Sequence, residues 1–72
     1  MTTEVIELRD ISIGKAKEEI VAFLKTSGET PFYVVSHRLR LPFQVMIDAV
    51  SELEDEGIIK YDRRKAGATT NL

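Results

Sequence analysis

Thr30 to Tyr61 has the sequence TPFYVVSHRLRLPFQVMIDAVSELEDEGIIKY, and its punctuation is that of two helices, the second the better marked, followed by a strand. Thr30-Pro31 is a helix start: threonine caps, and proline suits the first helical position, where its missing N–H has no partner to lose. Phe32, Val35 and Leu39 then fall on one stripe. That helix must end at or before Leu41, because a residue ahead of a proline avoids the α region. Pro42 opens the next helix in the same way. Met46, Ala49, Val50 and Leu53 recur at helical spacing on its buried face. Gly57 stops it with a left-handed residue, and Ile58-Ile59-Lys60-Tyr61 is a strand.

Upstream, Ser12 is the candidate N-cap of a first helix. Its buried stripe is Ile13, Ala16, Ile20, Phe23 and Leu24, it leaves Lys15, Lys17, Glu18 and Glu19 outside, and it stops at Gly28. Before it, Glu4 to Leu8 (EVIEL) is β-branched and half apolar, a short strand or extended arm. Downstream, Arg63-Arg64-Lys65 is followed by small and polar residues. The expected organisation is an arm over 1–11, one domain over 12–65 and a flexible tail over 66–72. The fold class is mainly α with a small β element.

The chain has 72 residues, 43% hydrophobic and 31% charged, which describes one ordinary globule with room for a single core and no cleft between lobes. Without cysteine it has neither disulfides nor thiolate metal sites. No signal peptide or membrane-length apolar run is visible, and a cytoplasmic location is expected. His37, the one histidine, has no second ligand at metal spacing, and Gly14-Lys15 lacks the context of a phosphate loop. No nucleophile, base and orienting group stand together, so neither an enzyme nor a cofactor is expected.

The stretch from Thr30 to Tyr61, nearly half the chain, resembles the core of winged helix-turn-helix proteins. Val35-Ser36-x-x-Leu39-x-Leu41-Pro42 is similar to the second helix and turn of that family. Met46, Val50 and Leu53, running into Glu54-Asp55-Glu56-Gly57-Ile58-Ile59, are similar to its third helix and first wing strand. The resemblance implies three helices with a short or incomplete wing. Arg40 departs from it, standing where the family often has glycine. The few residues after Lys65 leave the second wing strand in question, and the Glu4–Leu8 arm is an alternative partner for Ile58–Tyr61.

The resemblance also implies double-stranded DNA as partner, with the third helix in the major groove and a homodimer reading paired half-sites. At about 100° per residue, the face opposite the core holds Gln44, Asp48, Ser51 and Asp55, with Ile47 beside it. Gln44 suits adenine, Asp48 suits cytosine, and Ser51 suits several bases. The helix has no arginine or lysine, so the commonest guanine contact is missing from it. Arg38, Arg40, Arg63, Arg64 and Lys65 are the candidates for phosphate contacts. Against this stands a net charge of −2, where dedicated nucleic-acid binders are usually basic. The competing expectation is a protein-interaction module, in which Phe43, Val45 and Ile47 form an apolar surface bordered by acidic residues. Phe23, Phe32, Phe43 and Tyr33 are expected in the core or at its edge.

Overall fold

The computed structural model describes residues 10–64 and 68–72. In chain order they form α1 (Ile13–Ser27), β1 (Thr30–Pro31), α2 (Phe32–Leu39), α3 (Phe43–Asp55), β2 (Lys60–Asp62) and β3 (Thr69–Asn71). The strands make one antiparallel sheet in the order β1-β3-β2. Three helices and a small three-stranded sheet in this order are compatible with a winged-helix layout.

Each helix boundary has a local cause. Ser12 caps α1, its hydroxyl accepting from the Lys15 N–H at 3.1 Å. Gly28, at φ 73°, closes the helix by donating to the Leu24 carbonyl at 2.8 Å. At the end of α3, Gly57 has φ 75°. Its N–H donates to the Glu54 carbonyl, and the Ile58 N–H reaches back to Leu53. This is the double closure of a Schellman motif, in which the residue after the glycine packs on the last turn. The same six-residue closure ends α2, where Leu41 N–H donates to the Ser36 carbonyl at 3.0 Å. The left-handed residue inside it is Arg40, at φ 56° and ψ 45°. The position that departs from the winged-helix pattern is thus one whose backbone glycine would suit.

The core joins one stripe from each helix. Ala16, Ile20 and Leu24 of α1 meet Val35 of α2 and Met46, Ala49, Val50 and Leu53 of α3, closed by Leu41 and Ile59. Phe23, Phe32, Leu39, Val45 and Tyr61 pack around it, partly buried. Burying ten such side chains is the main stabilising contribution in so small a domain, at about 25 cal/mol per Å² of apolar surface.

The sheet corrects three expectations. Thr30 and Pro31 are not the cap and first turn of α2. They form edge strand β1, pairing with Thr70 and Thr69, and the Thr30 hydroxyl donates back to the Gly28 carbonyl at 2.8 Å. A proline is tolerated there because an edge strand need not donate from both sides. Phe32, the first helical residue, gives its N–H to the Ala68 carbonyl at 2.7 Å. Ile58 and Ile59 precede the ladder instead of joining it, because their N–H groups close α3; pairing begins at Lys60. The C-terminal segment is not a tail throughout. Thr69–Asn71 is the central strand, and Thr70 is fully buried, its hydroxyl donating to the Thr30 carbonyl at 3.0 Å. Threonine suits a strand of this kind, being β-branched and able to satisfy its own hydroxyl locally. The second wing strand is therefore present. The Glu4–Leu8 arm lies outside the described residues.

Candidate functional site

Among the described residues, no other element covers the side of α3 that faces away from the core. Its buried face is complete, with Met46, Ala49, Val50 and Leu53 all inaccessible, while Gln44, Ser51 and Asp55 are exposed and Asp48 is half-buried. The Gln44 Nε2 donates to the Asp48 Oδ1 at 3.0 Å, one helical turn away. A carboxylate only accepts, so this bond fixes which end of the Gln44 amide it uses. Gln44 keeps its Oε1 acceptor and a second N–H donor, and Asp48 is engaged as the group that positions it.

The apolar residues of α3 divide between its two flanks. Phe43 is 68% and Ile47 37% exposed, neighbours at i and i+4 on one side. Val45 falls on the other flank and packs against the core. The expected three-residue apolar surface is therefore two residues, because about 200° of helix separates Val45 from Phe43. Phe43 and Tyr33 correct a second expectation: both project into solvent, Tyr33 at 66% exposure, whereas Phe23 and Phe32 line the core.

The basic residues occupy two places. Arg38 and Arg40 are exposed at the end of α2 and in the turn that leads straight into α3. Arg63 and Arg64 are exposed just past β2; Lys65 lies outside the described residues. The Arg63 guanidinium sits 4.7 Å from the centre of the Tyr61 ring, and Tyr61 tilts against Phe32 with centroids 5.7 Å apart. A cation over an aromatic face is held while its N–H groups stay free to bond outward. Arg64 is tied to Asp62, whose Oδ1 accepts its backbone N–H at 2.9 Å and lies 3.6 Å from its Nε.

The acidic end of α3 has its own counter-charge. Lys17 of α1 donates from Nζ to the Glu56 Oε2 at 2.7 Å and the Glu52 Oε1 at 3.1 Å. These two carboxylates hold the Lys17 ammonium above its ordinary pKa, Glu56 first. Lys17 also places positive charge at a helix C-terminus whose own last turn has none. No local pattern announces this contact or the Arg63–Tyr61 stack; the Gln44–Asp48 bond has a legible spacing, four residues on one helix.

Among the described residues, no three histidine, aspartate or glutamate side chains gather closely enough to hold a metal ion. No helix among them is long and apolar enough to cross a membrane. No protein family, curated protein or solved structure matches the chain.

Proposed function

We propose that this chain is a winged-helix domain that binds duplex DNA, with α3 in the major groove. The observation that carries the reading is the uncovered outer face of α3, bearing a Gln44 amide already oriented by Asp48. The donor and acceptor that remain on Gln44 match the N7 and N6 edge of adenine. Ile47 supplies apolar surface for a thymine methyl, and Ser51 adds a hydroxyl that suits several bases. Asp48 serves the amide before it serves a base. Arg38 and Arg40 at the turn, Arg63 and Arg64 just past β2, and Lys65 next in sequence contact phosphates, which set register without reading sequence. The fold class suits this use, and the argument from fold to use is one of analogy.

The test is fluorescence anisotropy of a labelled random duplex, titrated at low and then moderate salt. Binding in the micromolar range that weakens steeply with salt supports the reading. Absence of binding at low salt refutes it.

The exposure of Phe43 and Ile47 favours a second reading, docking of a protein partner on the flank of α3. Two side chains make a small anchor, and soluble monomers commonly expose apolar patches of modest size. It takes precedence if duplex DNA fails to bind at low salt.

A further inference from the structure

A second surface, uncovered among the described residues, runs along α1. Gly14, Glu18, Ala22 and Lys25 share one face of that helix, more than 100° from the centre of its buried stripe, and half-buried Val21 lies at the edge between that face and the core. With Ile58 as the opposite wall they line an open groove of 440 Å³. Its floor is apolar. Ile58 is 43% exposed because the Schellman closure of α3 lifts it out of the ladder and onto Leu53. Nothing within 4 Å would meet a Cβ at Gly14, so the helix surface is low and open there.

The charges on this face are self-complementary. Glu18 and Lys25 are seven residues apart, about 10.5 Å along the axis, and Val21 and Ala22 lie midway between them. A two-fold axis passed between Val21 and Ala22 sets an antiparallel copy of α1 so that each Glu18 faces the other copy's Lys25. The small apolar pair then sits at the crossing point. A two-fold contact uses the same patch twice, so a patch that pairs with its own rotated image is what such a contact requires. Glu18 makes an exposed 3.7 Å contact with Lys15, an arrangement worth little and readily exchanged.

We infer that a second copy of this chain docks in the groove, α1 against α1 in antiparallel register, forming a homodimer held by Val21, Ala22 and Ile58 and oriented by two Glu18–Lys25 ion pairs. The inference rests on the groove and its charges and is independent of DNA binding. A domain of this size gains more from such burial than a large one does, since it leaves a greater fraction of its surface uncovered.

Sedimentation equilibrium of the full chain, from about 10 μM to about 1 mM, tests it. Twice the 8.1 kDa chain mass is expected at the upper end. Glu18→Lys and Lys25→Glu, each alone, set like charges opposite one another twice per dimer and weaken association by roughly tenfold or more. The double variant Glu18→Lys/Lys25→Glu restores it. Ala22→Arg blocks the crossing point and leaves a monomer. All three substituted positions are exposed on α1, so unchanged helical circular dichroism separates loss of association from loss of fold. A wild-type monomer throughout the range overturns the inference. So does a dimer indifferent to the single reversals, or a double variant that stays as weak as the singles.

Discussion

Arg40 holds the left-handed conformation that ends α2, at φ 56°. For a residue with a Cβ this costs about 1–2 kcal/mol relative to ordinary right-handed backbone. Arg40→Gly removes that cost and adds the extra entropy that glycine gains in the unfolded chain, about 0.5–1 kcal/mol in the other direction. The net expectation is a domain more stable by about 0.5–1 kcal/mol, and a melting temperature higher by about 2–8 °C. Arg40→Ala keeps the strained φ and leaves stability within about 0.5 kcal/mol of the wild type. On DNA the two variants behave alike, since each removes the same cation. The slope of log K against log salt becomes shallower by about 0.9, the value of one phosphate contact. Urea melts and anisotropy titrations on one set of proteins read both effects. Equal stability of the two variants would refute the strain argument, and an unchanged salt slope would remove Arg40 from the phosphate contacts. The combination expected, a stabler protein that binds more weakly, would explain an arginine at a glycine position as a stability cost retained for binding.

Four further outcomes are expected. Arg63→Ala/Arg64→Ala flattens the salt slope by about 1.8, two phosphates at about 0.9 each, with little change in melting temperature. Thr70→Val removes the buried bond to the Thr30 carbonyl and lowers stability by about 1 kcal/mol in a thermal melt. The Lys17 ammonium is held above 10.5 by Glu56 and Glu52. Its contribution to stability is therefore complete below that pH and lost as pH rises through the raised value; a pH series of melts should show a steeper alkaline decline than Lys17→Met shows. Glu54→Gln/Asp55→Asn leaves duplex affinity nearly unchanged at about 0.15 M salt, where the screening length is about 8 Å, and raises it several-fold at about 0.01 M, where it is about 30 Å.

Much of this fold was legible because its local signals agree. Ser12, Gly28, Pro42 and Gly57 mark helix boundaries to within a residue, and the α3 stripe Met46, Ala49, Val50, Leu53 is buried as its spacing requires. What escaped is what depends on partners distant in sequence. Thr30-Pro31 carries the chemistry of a helix start, and the strand pairing with Thr69 and Thr70 decides its role. Thr69–Asn71 is three residues long, too short for any periodicity to show. The outward face of α3 was legible for the same reason as its core face. Val45 was misplaced because it was grouped with Phe43 and Ile47 by type, although a helix turned through about 200° sets it on the opposite flank.

The acidic composition argues against nucleic acid only if its charge faces the nucleic acid. Glu52 and Glu56 turn toward α1, where Lys17 takes both, and they crowd the C-terminal end of α3. Gln44 lies near the other end, twelve residues and about 18 Å from Glu56, which exceeds the screening length of about 8 Å at physiological salt. Arg40, by contrast, stands three residues before the first residue of α3, at the end that the proposed docking sets in the groove. The field met by an approaching phosphate is set by these near charges, and the net value of −2 averages over groups it never encounters. Asp48 and Asp55 are the acidic groups on the outward face, Asp55 at its far end beside the other acidic residues, and the Oδ1 of Asp48, the one nearer Gln44, is engaged by it. The physical case for DNA therefore turns on whether that bond survives in the groove. If Gln44 keeps it, Asp48 positions a base-reading amide; if Gln44 lets go, a bare carboxylate is left among phosphates.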